Sequence, residues 1–160
     1  FGVGTSLVTG TPDAALDGVY KLSSFDGTPR LKLSENPAKM TLPGIKTVIR
    51  LMDSEGKFYG GDLVMLEQER NPERMIHPSD HGKRMDTGKL KKVEILSPVM
   101  EKGVNRLAGK SPGDISRYCR ERMELLPDEY KRFENPHVYK VGISEALHAL
   151  REELRNRYST

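Results

Sequence analysis

Cysteine occurs once in this chain, at Cys119, and tryptophan not at all. A single thiol excludes an intrachain disulfide and fits a reducing compartment. No apolar stretch approaches the ~20 residues of a membrane-spanning helix, so no membrane role is expected. Charge of one sign is not in excess either: 26 basic residues face 23 acidic ones, and the net +3 is spread along the chain. Nucleic-acid binding needs a concentrated basic face. The densest run here, Lys83-Arg84 with Lys89, Lys91 and Lys92, has no interleaved aromatics and reads as a solvated strand and loop. Internal repeats and low-complexity segments are absent. Hydrophobic residues make up 36% of the 160 and charged ones 31%. That balance is polar for a self-sufficient domain, so some apolar surface is expected to be completed by a partner segment.

The most informative feature present is the opening Phe1-Gly-Val-Gly-Thr-Ser-Leu-Val-Thr9. A short apolar strand runs into a Gly-x-Gly-Thr turn. Gly2 and Gly4 let the backbone approach a ligand closely, and their N–H groups with the Thr5 hydroxyl suit an anion such as phosphate. A loop at a strand end is how many α/β enzymes hold a 5′-phosphate. By itself the pattern is weak, since a plain turn needs the same glycines. The chain opens directly on the motif without an initiator Met, and is read as the C-terminal piece of a larger enzyme cut at its active site.

Further along, two halves emerge. Val19–Leu22 and Arg30–Leu33 read as paired strands around an Asp26-Gly27 turn. Thr47–Met52 is β-branched and apolar, Asp53–Gly56 turns, and Phe58–Leu66 returns, with Gly60-Gly61 suggesting a bulge or a close backbone approach. Residues 67–88 are charged and aperiodic and read as an exposed loop. Leu90–Met100 reads as a fifth strand, in which Val93, Ile95 and Val99 share one parity. Ser111-Pro112-Gly-Asp114 starts a helix. Its apolar face is Ile115, Tyr118, Cys119, Met123 and Leu126, and Pro127 ends it. Val138–Gly142 is a short strand, and Ser144 caps a last helix with a Leu147, Leu150, Leu154 and Tyr158 stripe.

The remaining side chains give no complete catalytic constellation. His77 and His81 flank Pro78-Ser-Asp80, but a zinc site wants three or four ligands and no further cluster supports the pair, so they read as a surface loop with no metal. Cys119 reads as a packed thiol rather than a nucleophile. His137 lies in a turn, and His148 falls on the polar side of the last helix without an acid–base partner. Lys21, Lys32, Lys46 and Arg50 lie on predicted strands, where half of any such set faces away from a given ligand.

Taken in order, the opening motif, Asp17-Gly-Val-Tyr-Lys-Leu22, Pro29-Arg-Leu-Lys-Leu-Ser34, Lys39-Met-Thr-Leu-Pro-Gly-Ile-Lys46 and Val48-Ile-Arg50 resemble the C-terminal part of the nicotinate phosphoribosyltransferase family. Leu125-Leu-Pro-Asp-Glu-Tyr-Lys-Arg132 and Asn135-Pro-His-Val-Tyr-Lys-Val-Gly-Ile-Ser144 agree with it as well. Several motifs in fixed order are far more specific than one glycine turn. The resemblance implies a type II phosphoribosyltransferase: an irregular α/β barrel whose end lies in residues 1–18, then a mainly antiparallel, β-rich part of a second α+β or α/β domain over 19–100. Residues 101–160 would be a C-terminal helical segment with two helices. It further implies nicotinate and 5-phosphoribosyl 1-diphosphate as substrates, ATP and Mg²⁺ as cofactors, a missing N-terminal part, a homodimer and a cytoplasmic setting. Only Gly2, Gly4 and Thr5 carry a family role over, as the phosphate loop. Lys21, Lys46 and Arg50 match family patterns without an assignable contact, and the catalytic histidine region lies outside the chain. The isolated chain is expected to be inactive, the alternative reading being a non-catalytic scaffold or dimerisation module.

Overall fold

The computed structural model describes residues 20–34 and 40–158. The phosphate-loop residues Gly2, Gly4 and Thr5, and the whole 1–18 segment, lie outside them. The first described element is a small hairpin, β1 (Ser24–Phe25) against β2 (Thr28–Pro29). Its turn is Asp26-Gly27, both at positive φ (47° and 68°), the left-handed pair that two-residue hairpins favour. The turn falls where the sequence places it, but the flanking strands are two residues each. Tyr20 and Leu22 remain outside any strand, and Tyr20 is almost fully exposed.

The body is a six-stranded sheet. It contains β3 (Lys46–Met52), β4 (Phe58–Leu66), β5 (Arg74–Ile76), β6 (Arg84–Asp86), β7 (Lys91–Glu94) and β10 (Lys140–Ser144), in the order β6-β5-β10-β4-β3-β7. Every pairing is antiparallel except that between β10 and β4. β3 and β4 form the expected hairpin. Two steps along β3, from Arg50 to Met52, are matched by four along β4, from Asp62 to Phe58, so a bulge sits at Tyr59–Gly61. Gly60 there takes φ +87°, and a Cβ would run into the Tyr130 phenol. The glycine pair therefore provides both the bulge and the close approach.

Three readings are corrected. Residues 67–88 are not a loop throughout: they contain the β5–β6 hairpin, with Met75 and Ile76 buried. Two apolar residues between charges are too short a run to signal a strand, and β5 exists because distant β10 pairs with it. The strand expected at Leu90–Met100 shortens to β7 at the sheet edge, with Val93, Ile95 and Val99 exposed. Met100 instead enters a separate hairpin of β8 (Met100–Glu101) and β9 (Val104–Asn105). The helix at Ser111 is present as α1 (Pro112–Glu124), with a full capping box between Ser111 and Asp114, yet none of its residues is buried. Cys119 is accordingly exposed rather than packed.

A single turn, α2 (Asp128–Lys131), leads to the centrally inserted β10 and then to α3 (Glu145–Tyr158), which packs on β10, β4 and β5. Two apolar clusters flank the sheet. Leu66, Ile76, Ile143 and Leu147 pack with Val64 and Leu150 beneath α3. Leu51, Leu63 and Met75 form the other cluster, with Ile49, Met85 and Leu90. Ser144 joins strand to helix: its Oγ accepts from Leu147 N–H at 3.1 Å and donates to Glu69 Oε1 at 2.6 Å. Leu147, Leu150 and Leu154 face inward as the stripe predicts, whereas Tyr158 is exposed. The whole is an α+β arrangement around a mixed sheet.

Candidate functional site

Three groups of polar side chains gather on this scaffold. The first lies at the bulged end of the β3–β4 hairpin. Arg50 and Asp62 are cross-strand partners and form a two-point ion pair, Nε to Oδ1 at 3.0 Å and NH2 to Oδ2 at 2.9 Å. Tyr139 donates to Asp62 Oδ1 at 2.9 Å, and the Arg50 guanidinium lies 4.5 Å over the Phe58 ring. Chiefly the Asp62 hydrogen bond pushes the Arg50 pKa further up. Burial first, then the bond to Asp62, pushes the Tyr139 phenol up to about 12. Lys46 is likewise engaged. Its Nζ donates to the carbonyls of Leu42 (2.8 Å) and Gly44 (2.5 Å), and burial lowers its pKa. Two of the basic residues that match family patterns are thus engaged, Lys46 with the segment entering β3 and Arg50 with β4, while Lys21 is exposed.

The second group lines a cavity of about 300 Å³ between the β5–β6 hairpin and the entry to β10. Met75, Met85 and Val141 supply apolar wall, and His77, Lys83, Arg84 and Lys140 supply basic groups. Lys83 is ion-paired with Asp80 at 3.1 Å and holds that carboxyl below its usual range. His77 Nδ1 accepts the backbone N–H groups of Ser79 and Asp80, so its ring shapes the turn. Apolar wall with cationic groups suits an anion with an organic body.

The third group brings His81 and His148 together, a contact the sequence reading did not anticipate. The turn after β5 carries His81 to α3, where its ring meets His148 edge-on, 4.4 Å between centroids at 83°. Arg151, buried on the inner stripe of α3, donates to Pro78 O at 2.9 Å and lies with NH2 2.5 Å from His81 Nε2. Guanidinium only donates, so that ring nitrogen carries a lone pair. Glu152 accepts from Arg151 Nε at 3.3 Å and from Arg155 at 3.2 Å. His148 Nε2 is buried without a hydrogen-bond partner among the described residues, and desolvation, before the charges of His81 and Arg151, lowers its pKa. Arg151 was missed in the sequence, although its helical spacing with Leu147 and Leu154 could have flagged it; nothing local signals the arrival of His81.

Other expected site residues are dispersed. His137 stacks edge-on against Tyr130 at 5.7 Å and donates its backbone N–H to Glu129. Mg²⁺ takes oxygen ligands. The group of three convergent ligand side chains among the described residues is His81, His148 and Glu152, a donor set that does not fit it.

The fold and these groups define an α+β domain built around a mixed six-stranded sheet with α3 packed on one face. Residues 45–151 match the family described as Nicotinate phosphoribosyltransferase C-terminal domain, and the chain belongs to that family. It is 32% identical over 158 residues to a nicotinate phosphoribosyltransferase of Dictyostelium discoideum, covering 92% of this chain and 27% of that protein. The Bacillus subtilis nicotinate phosphoribosyltransferase is 31% identical over 153 residues, covering 91% of this chain and 31% of its own length. The crystal structure of human nicotinic acid phosphoribosyltransferase superposes with a TM-score of 0.66 at 26% identity, over 88% of this chain and 27% of that one. The chain thus spans under a third of the length of these relatives.

Proposed function

We propose that the protein carrying this chain joins nicotinate to 5-phosphoribosyl 1-diphosphate, giving nicotinate mononucleotide and diphosphate for NAD synthesis. The observation that carries this is the family match over residues 45–151, reinforced by relatives with that activity in their names. In the reaction a nicotinate ring nitrogen bonds to the anomeric carbon as its bond to diphosphate oxygen breaks. The sugar becomes cationic on the way, so catalysis requires it to be fixed while the leaving charge is neutralised.

Within that reaction Gly2, Gly4 and Thr5 hold the sugar's 5′-phosphate through backbone N–H groups and a hydroxyl, which positions the sugar without breaking bonds. ATP hydrolysis is coupled to the transfer and Mg²⁺ accompanies the diphosphate; no step here runs through either. The enzyme works as a cytoplasmic homodimer, and these 160 residues alone are inactive. The second reading, a scaffold or dimerisation module, draws on the exposed Ile115, Tyr118 and Met123 of α1 and the exposed Phe133 and Val138, an apolar surface suited to another body.

The test is formation of nicotinate mononucleotide from nicotinate and 5-phosphoribosyl 1-diphosphate, by the full-length protein and by the 160-residue chain. Product from the former alone supports the enzyme reading. Absence of product from the full-length protein overturns it.

A further inference from the structure

The junction of the β5–β6 turn with α3 carries more than packing. His148 and Glu152 lie four residues apart on α3, so they share a face of the helix. His81 reaches that face from the turn, and one ligand atom from each of the three lies within 4.8 Å of the others. His148 Nε2, a strong ligand atom, is shut off from solvent with no hydrogen-bond partner among the described residues. A buried unsatisfied ring nitrogen is a costly arrangement that a ligand would relieve. The lone pair of His81 Nε2 already faces a cation, the Arg151 guanidinium.

We propose that His81, His148 and Glu152 form a three-ligand site for a zinc-class transition-metal ion that pins the β5–β6 turn to α3. Two imidazoles and one carboxylate form a borderline donor set of the kind zinc takes, and three protein ligands leave a fourth position for water. Zinc bonds of about 2.0–2.2 Å place tetrahedral ligand atoms roughly 3.3 Å apart. The present spread therefore closes by a modest rotation of these partly buried side chains, and Arg151 gives up its contact with His81. It keeps the Pro78 carbonyl, which holds the turn in place meanwhile. The neighbouring guanidinium groups of Arg151 and Arg155 oppose a dication and make the site one of moderate affinity. This site does not depend on the reaction proposed above.

The experiment is titration of chelator-treated full-length protein with Co²⁺, followed by its visible d–d band, then displacement by Zn²⁺ measured calorimetrically. One equivalent per chain is expected. His81→Gln and His148→Gln should each weaken that equivalent by at least about tenfold, the scale on which even outer-shell losses are felt. His137→Gln, remote from the site against Tyr130, should leave it unchanged. As a second readout, Zn²⁺ should raise the melting temperature of the parent and of His137→Gln but not of the two ligand variants. Each glutamine variant must melt cooperatively without metal, and Glu152→Gln replaces either one that does not. No d–d band in the parent, or equal binding in parent and ligand variants, overturns the proposal.

Discussion

Gly60→Ala offers the sharpest test of how the β3–β4 hairpin is built. Gly60 sits at φ +87°, where an L side chain is strained by roughly 1–2 kcal/mol. Its new Cβ would stand 2.8 Å from Tyr130 Cε2 and closer still to the phenol oxygen, so the ring must leave its seat. That ring stacks edge-on with His137 at 5.7 Å and Tyr139 at 5.8 Å. Such aromatic pairs contribute about 0.5–1.5 kcal/mol each, so the total loss is roughly 2–5 kcal/mol. Native-state hydrogen exchange of the β4 amides in the full-length protein reads this local free energy, and exchange should quicken at least about thirtyfold. In a Tyr130→Ala background only the backbone part, about 1–2 kcal/mol, should remain. Exchange within about twofold of the parent, or the same penalty in both backgrounds, would refute the reasoning.

Two further outcomes follow from burial and hydrogen bonding. Tyr139 ionises near 12 in the fold against an ordinary value of 10.0. The protonated phenol's stabilising contribution is therefore full below pH 10 and is lost as pH rises through 12. Spectrophotometric titration should show one lagging phenol that disappears in Tyr139→Phe; all tyrosines ionising together near 10 would contradict this. Ser144→Ala removes the acceptor for Leu147 N–H and the donor to Glu69 at a fully buried site. It should destabilise the first turn of α3 by about 1–2 kcal/mol, read by exchange of the Leu147 amide.

What could be read in the sequence follows the range of each signal. The β3–β4 hairpin was legible because β-branched residues, an Asp53–Gly56 turn and a glycine pair all act locally. So were the starts of α1 and α3, where Ser111 and Ser144 each satisfy the amide three residues on. The fate of the α1 apolar face was not, since periodicity shows that a stripe exists but not what covers it. β5 was missed because it pairs with β10, far along the chain, and β6 because each strand of that hairpin is only three residues long. The His81–His148 contact was hidden for the same reason: only the helical spacing of His148 and Glu152 is local. The phosphate loop rests wholly on residue types and resemblance, as Gly2, Gly4 and Thr5 lie outside the described residues.

The proposed seat of the 5′-phosphate at Gly2, Gly4 and Thr5 is tested most directly by steady-state kinetics of full-length Thr5→Val. Losing one hydrogen bond to a charged oxygen removes about 1.5–3 kcal/mol. The KM for 5-phosphoribosyl 1-diphosphate should rise by roughly ten- to a hundredfold while that for nicotinate stays near the parent's. An unchanged KM for 5-phosphoribosyl 1-diphosphate would contradict the account.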